Sequence, residues 1–574
     1  MRLKISKSAH SLSYSVIKSA YINGKRTSVV VERLGNTEEI KAKAGDMDPL
    51  EWCRQYVTEL NQKNEENLHG IDLTLYPSAP IDPGKRNLYN GGYLFLEDIY
   101  YDLGLNRISK AIGKKHSFQY NLDSILSRLI YSRILFPSSK LSTFEQSGQF
   151  IEQPDFELHQ VYRALSVIAG ESDYIQSALY RNSLKLYGRS TGVIYYDCTN
   201  YFFEIEQSEG LKQYGPCKEN RPLPIVEMGL FMDAEGIPLA FCINPGNTNE
   251  QVTMVPLEQK LAADFGMSRF VVCTDAGLSS TSNRKFNNDK DGNRAFVTTQ
   301  SIRGMKKFLK DWALSPEGWH LTGEKASVMH DISRIDEEAD KDKVFFKERW
   351  IKENGIEQRL IVTYSVKYRN YLRSVREGQV ERARKVLDHN PSCIEHKRQT
   401  DYKRFIGQIH ASADGEAADI TEYYLDDDAI SYEAQYDGFY AVCTNLEDNV
   451  SDIVSINRRR WQIEECFRIM KSDFEARPAY LSRDDRIKAH FMTCFIALIV
   501  YRYLEKKLDD RYTCSEIIHC LQDMAFLKVE GKGYIPAYQR TALTDDLEKT
   551  FGFNLSTQIV TIEKMRNICA MTKK

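Results

Sequence analysis

The sequence predicts an α/β protein: a helical N-terminal region, a mixed sheet core, and a mainly β insertion that interrupts that core. Three observations carry this. Short runs of β-branched and aromatic residues at 193–196 and 270–274 each end at an aspartate, Asp197 and Asp275, and read as buried strands. Helical periodicity fills roughly 92–190. The rhythm then breaks between 301 and 440, and a strand-to-helix pattern resumes from Gly438-Phe439-Tyr440-Ala441-Val442-Cys443. The resulting division is 1–90, 91–190, 191–300, 301–440, 441–510 and 511–574.

Composition bounds the answer before any motif does. A chain of 574 residues with 42% hydrophobic and 27% charged content is long enough for several domains and a large core. Lys and Arg number 77 against 80 Asp and Glu, a net charge of -3, so overall charge does not advertise a nucleic-acid binder, although a local basic groove is compatible with it. The twelve cysteines contain no C-x-x-C pair, which argues against a zinc cluster or a disulfide framework. The opening residues Met1-Arg2-Leu3-Lys4-Ile5-Ser6-Lys7 lack the apolar core of a signal peptide. The longest apolar run, 491–501, is about half of what a membrane span needs, so a cytoplasmic protein without a membrane partner is expected.

In chain order, 13–21 and 25–32 read as strands around Ile22-Asn23-Gly24, an Asn-Gly hairpin signal. Residues 48–66 read as a polar helix with Asp48 as N-cap and Pro49 in the first position. A Pro/Gly-bearing linker follows to about 90. Helix, Gly104 turn and helix at 94–112 fit an ordinary bundle better than a DNA-reading pair carrying Arg107, Lys110 and Lys114. Beyond 193–197, strands are expected at 225–232 and 238–244 around the turn Asp233-Ala234-Glu235-Gly236, a helix at 249–263, and strands at 270–274 and 294–299. Three antiparallel strands, a helix, then parallel-type strands is the order of a ribonuclease-H-like core. The 301–440 stretch alternates strand-like pieces with a basic helix at 367–387 and reads as an inserted domain. Its cations, among them Arg373, Arg376 and Arg382, sit among Tyr364, Tyr368 and Tyr371, and fit either a solvated face or phosphate contacts. Residues 486–507 read as an apolar-faced helix, and 511–574 as helix and strand pieces.

The stretch Ile456-Asn457-Arg458-Arg459-Arg460-Trp461-Gln462-Ile463-Glu464-Glu465-Cys466-Phe467-Arg468-Ile469-Met470-Lys471 has helical spacing and no Gly or Pro. On one helix, Arg460, Glu464, Arg468 and Lys471 would share a face. A solvated face with i,i+4 ion pairs would show the same residues. The sharper reading joins Glu464 to Asp197 and Asp275, since three hard carboxylates are what a divalent cation, Mg²⁺ or Mn²⁺, needs in phosphodiester chemistry.

These residues resemble a family. The chain is similar to insertion-sequence transposases of the DDE class, in the insertion-sequence-four-like superfamily marked by a Tyr-Arg-Glu-Lys signature with gaps of two, three and six residues. Here Asn457, Arg460, Glu464 and Lys471 keep those gaps, with Asn457 in place of the Tyr. The first acidic motif matches Asp197, Thr199 and Phe203-Glu204, and the second matches Asp275-Ala276-Gly277. The blocks Lys218-Glu219-Asn220-Arg221-Pro222, Pro245-Gly246-Asn247 and 481–490 also resemble this group. The resemblance covers roughly 90–510.

It implies catalytic and metal-binding roles for Asp197, Asp275 and Glu464, with Mg²⁺ as cofactor and Mn²⁺ as substitute. It implies contacts to DNA from Arg460 and Lys471, with Asn457, Arg468, Lys218 and Arg221 as further candidates. The implied partners are double-stranded DNA, as terminal inverted repeats and as target, and a second copy of the chain. In some relatives an aromatic of the insertion holds a flipped base, for which Trp312, Trp319 and Trp350 are candidates, although core burial suits each. A nuclease of the same fold that cuts without joining, and a domesticated DNA-binding descendant, are the competing readings.

Overall fold

The computed structural model describes the whole chain except residues 8–11, 23–24, 46, 69–70, 72, 74–76, 79, 81, 187, 289–290, 326, 390–400 and 412–419. It divides into two compact units, Met1–Lys85 and Arg86–Lys574.

The first unit holds three antiparallel strands, β1 (Arg2–Lys7), β2 (Leu12–Ile22) and β3 (Lys25–Asn36), in the order β1-β2-β3. The expected Asn23-Gly24 turn lies outside the described residues, but Ile22 pairs with Lys25 on either side of it. Asn36 then starts the helix Thr37–Ala44 through a reciprocal cap: its Oδ1 accepts from the Glu38 and Glu39 N–H groups, and its own N–H donates to Glu39. Asp48 caps the helix Pro49–Leu68, accepting from Leu50 N at 2.9 Å and Glu51 N at 3.1 Å. Tyr14, Val16, Leu34, Ile40, Cys53 and Val57 close a small core between sheet and helices.

The second unit begins with β4 (Leu88–Asn90) and six helices between Tyr93 and Ser183. A large mixed sheet follows. Its strands are β5 (Val193–Phe202), β6 (Ile225–Asp233), β7 (Pro238–Pro245), β8 (Phe270–Thr274), β9 (Arg294–Thr299), β10 (His320–Leu321), β11 (Phe345–Glu353) and β12 (Ile356–Tyr364). A separate hairpin, β13 (Ile406–Ala411) and β14 (Ile420–Leu425), intervenes before β15 (Phe439–Thr444) returns to the sheet. The spatial order is β10-β11-β12-β15-β9-β8-β5-β6-β7. Only β5–β8 and β8–β9 are parallel. The expected order of three antiparallel strands, a helix, and parallel strands is therefore present at β5 to β9. The β6–β7 turn is held by Asp233, whose Oδ1 accepts from Glu235 N and Ile237 N while Gly236 takes a φ of 81°.

Residues 301–440 differ from the expected self-contained, mainly β insertion. Strands β10 to β12 continue the central sheet, with β12 paired to β15, and the longest element is a helix of 24 residues, Val366–His389. Apolar residues on both faces explain this. Ile361 and Val442 reach the main core, whereas Leu360, Val362, Ala441 and Cys443 pack with Trp319 and Phe296 on the other side.

The main core is organised by the helix Asp484–Lys507. Its middle, 491–501, is apolar on nearly every side, every residue from Ala489 to Glu505 is buried, and helices Tyr93–Asp102, Leu122–Leu135 and Leu158–Gly170 pack on it. By length and composition this helix is apolar enough to cross a membrane, more than the short run suggested; in the fold it is buried within the protein. Finally β16 (Ala525–Val529), β17 (Gly533–Pro536) and β18 (Val560–Thr561) join β4 in a four-stranded antiparallel sheet. The described cysteines are all free thiols, most of them buried.

Candidate active site

Period-two alternation sorts β5 into two faces. Ile194, Tyr196 and Cys198 pack with the helix Met254–Phe265, while Tyr195 and Tyr201 face the main core. Asp197 has the parity of Tyr195. It does not end its strand, as the sequence suggested, because β5 runs on to Phe202. What ends there is the neighbour: β5 pairs with β8 only through Tyr195, opposite Cys273, and continues against β6 alone. Asp197 and Asp275 are each two residues beyond that Tyr195–Cys273 pair, so they occupy matching positions on adjacent parallel strands, where the strands part. Cys198 N donates to Asp197 Oδ1 at 2.8 Å, and Leu278 N donates to Asp275 Oδ1 at 2.9 Å, which fixes the turn Asp275-Ala276-Gly277.

Burial, followed by repulsion from Asp275, pushes the Asp197 carboxyl up to about 6, against the attraction of Lys218 and Arg460. Two carboxylates that repel each other in a half-buried notch are a donor set suited to a hard cation. The third expected ligand is elsewhere. Glu464 is exposed and its Oε1 is ion-paired with Arg460 Nη1 at 3.0 Å. Among the described residues, no three His, Cys, Asp or Glu side chains are gathered to hold a metal ion as they stand. Asp197 and Asp275 thus fit the cation, and Glu464 fits it only after leaving Arg460. Arg460 is the group common to all three. Burial opposes its charge, yet attraction from Glu464, Tyr440, Asp197 and Asp275 holds its pKa above the usual arginine value.

The single helix expected over 456–471 is three pieces. Helix Val450–Arg458 ends, Trp461–Arg468 begins at Arg460, and Ile469–Asp473 is a wider π turn in which Phe474 N reaches back to Ile469 O. The expected common face is lost accordingly. Arg468 pairs with Asp473 at 3.0 Å. Lys471 pairs with Glu219 at 3.1 Å and lies over the Tyr201 ring. Asn457 is mostly buried, donating to Tyr440 Oη at 2.9 Å, with its Oδ1 near Thr299 and Cys273, and it lines one cleft with Arg460 and Glu464.

The remaining cations divide. Lys218 donates to Cys198 O at 2.6 Å and pairs with Glu250 at 3.0 Å, beside Asp197. Arg221 is exposed, 3.7 Å from Glu204 and stacked on the Phe202 ring. Arg373 and Arg382 are exposed on the helix Val366–His389, but Arg376 is turned inward to a 2.5 Å ion pair with Asp437. Of the tryptophans, Trp319 is fully buried, Trp312 carries Lys347 and Arg349 over its ring, and Trp350 is half exposed on β11.

Sequence reasoning passed over Trp461, which it counted as an apolar helix position. Its ring is 57% exposed. With Tyr368, Tyr371, Tyr440, Arg460 and Glu464 it lines a cleft of about 650 Å³. Arg477 was also missed; it pairs with Glu219 alongside Lys471. The only available signal was its place between the two matched blocks, and that does not reveal its partner.

Solved structures with similarity include a piggyBac transposase synaptic complex with hairpin DNA, at 9% identity over 84% of each chain with a TM-score of 0.35, and a Mos1 transposase paired-end complex with left transposon end, at 13% identity over 43% of this chain and 67% of that one with a TM-score of 0.13. No curated protein matches. The transposase DDE domain family matches residues 203–500, just over half of the chain, and includes Asp275 and Glu464, with Asp197 just before its start. This chain belongs to the transposase DDE domain family.

Proposed function

We propose that the chain is a DDE transposase with a ribonuclease-H-like core, of the insertion-sequence-four-like superfamily with the Tyr-Arg-Glu-Lys signature. It binds the ends of an insertion sequence as a homodimer, cleaves them, and joins them to target DNA. One observation carries the reading: Asp197 and Asp275 stand at matching positions where β5 and β8 part, with Arg460 paired to Glu464 and near enough to feel the charge of both aspartates. The strand order β7-β6-β5-β8-β9 supports the core assignment.

Asp197 and Asp275 would hold a divalent cation, with Glu464 joining them once released from Arg460. A bound Mg²⁺ or Mn²⁺ would activate the attacking oxygen and neutralise charge at the scissile phosphate. Arg460, freed in the same exchange, offers its planar fork to that phosphate. Trp461 and Tyr371 present exposed ring faces on which a base can stack. Lys218 and Arg221 lie on the Asp197 side, suited to neighbouring phosphates. Asn457 holds Tyr440 in the wall of the cleft that Arg460 and Trp461 also line.

The test is cleavage and joining of a duplex carrying the inverted repeats that flank the gene. Asp197→Asn, Asp275→Asn and Glu464→Gln should each abolish both steps in Mg²⁺ while gel-shift binding of the duplex persists. Near wild-type cleavage by any one of them removes that residue from the site.

A further inference from the structure

Arg477, the partner of Glu219, also lines a second pocket, of about 570 Å³. Its walls are the segment 475–483, the start of the helix Asp484–Lys507, Tyr162, and the N-terminus of the helix Lys140–Ser147. Five cations line it: Arg133, Lys140, Arg477, Arg483 and Arg486. Glu475 is its one acidic lining residue, and Arg483 is paired with Asp485 at 2.9 Å.

The inner wall is the unusual part. Lys140 is 7% exposed, and among the described residues neither a carboxylate nor a hydrogen-bond acceptor acts on its ammonium. Burial, then the nearby Arg133 charge, pulls its pKa down to about 7. Arg133 is 4% exposed; its two terminal nitrogens donate to Phe474 O and Ser138 O, and its Nε has no acceptor. Arg486 lies over the Tyr162 ring with its Nε likewise unmatched. An unpaired ammonium that meets solvent only through this pocket, beside a buried guanidinium, is costly unless an anion completes it. The helix start adds to this, since Ser139 caps Ser142 N and the first-turn N–H groups precede it. His490 in the same wall is held neutral by burial, so it adds no charge. At the mouth, Tyr480 is 71% exposed.

We infer that this pocket is a phosphate-binding site, in which Lys140, Arg133 and Arg486 take the oxygens of a phosphate group, supplied either by a DNA strand or by a free phosphate. It is independent of Asp197 and Asp275, and it stands or falls without them. A phosphate group presents more oxygens than a carboxylate's two, which suits donors converging from three elements.

The experiment uses the full chain at pH 6.5 and constant ionic strength. Inorganic phosphate should raise the thermal midpoint saturably, where chloride does not. Lys140→Met keeps the length and removes the charge; it should raise the midpoint without phosphate and abolish the phosphate response. Arg486→Gln, at a less buried position, should weaken phosphate by about tenfold. Fluorescence anisotropy with a labelled duplex separates the sources. Weaker duplex binding by Lys140→Met, with competition by phosphate in the wild type, assigns a strand phosphate; unchanged duplex binding with a lost phosphate response assigns a free one. A wild-type midpoint indifferent to phosphate, or an equal response in both variants, overturns the inference.

Discussion

Glu258 offers a test of the core's electrostatics that leaves the candidate site untouched. It lies on the helix Met254–Phe265 with no exposed surface. Asn287 Nδ2 donates to its Oε1 at 3.0 Å, while Glu258 Oε2 and Asn287 Oδ1 are both buried without partners. Those two oxygens cannot satisfy each other unless a proton lies between them. Burial supplies the reason for one, pushing the Glu258 carboxyl up to about 8 against Asn287 and Arg294. In the unfolded chain the same group titrates near 4.5. Between those values the folded state keeps a proton that the unfolded state has lost, so stability falls as pH rises from about 4.5 to about 8. At ~1.4 kcal/mol per pH unit the ceiling is ~5 kcal/mol, and relaxation around the buried group reduces the realistic figure to ~2–3 kcal/mol. Glu258→Gln keeps the shape and supplies a donor that carries no charge. It should therefore stabilise the protein by about that amount at pH 8 and change little at pH 4.5. Urea unfolding followed by tryptophan fluorescence at pH 5, 6.5 and 8 reads this as a difference between variant and wild type, which cancels other titrating groups. Parallel wild-type and variant curves across that range would refute the reasoning.

Two further expectations concern the cations. Arg460→Lys keeps the charge beside Asp197 and Asp275 but loses the planar fork, so cleavage of the flanking repeats should fall by about tenfold or more with folding intact; wild-type rates would make the Arg460–Glu464 pair an ordinary surface ion pair. On the helix Val366–His389, the joint substitution Arg373→Glu and Arg382→Glu should weaken duplex binding and flatten the slope of log K against log[salt] by ~0.9 per lost phosphate contact. Arg376→Ala should instead leave that slope unchanged and cost ~3 kcal/mol in denaturant unfolding, because it strands Asp437.

The sequence was most readable where burial makes a pattern on its own. β5 to β8 show as apolar runs because both faces of the sheet are covered, by the helix Met254–Phe265 on one side and the main core on the other. The caps at Asp48 and the turn at Asp233–Gly236 are local hydrogen-bond chemistry and were equally visible. Partner choice was not. That β12 would pair with β15, across the whole Val366–His389 helix and the β13–β14 hairpin, is a decision between distant strands, and alternation gives a strand's faces without naming its neighbour. The same limit placed Asp197 at a strand end: the run of buried residues to Phe203 looks like a loop of aromatics until β6 is seen beside it.

At the candidate site, residue identity was legible and orientation was not. Helical spacing from Ile456 to Lys471 survives a bend at Arg459-Arg460 and a π turn at Ile469–Asp473, since each displaces the register by no more than a residue. Yet one residue is about 100° around a helix, enough to take Lys471 from Glu464's face to Glu219. The four-residue array read from spacing therefore becomes three separate arrangements, of which Arg468 with Asp473 is one. Arg460 and Glu464 hold each other next to the two aspartates, and Lys471 shares Glu219 with Arg477. Each cation is already compensated by a carboxylate in the protein. A phosphate arriving at any of these places must therefore displace a carboxylate rather than fill an unpaired position, and at Arg460 the displaced carboxylate is Glu464, the one the aspartate pair lacks.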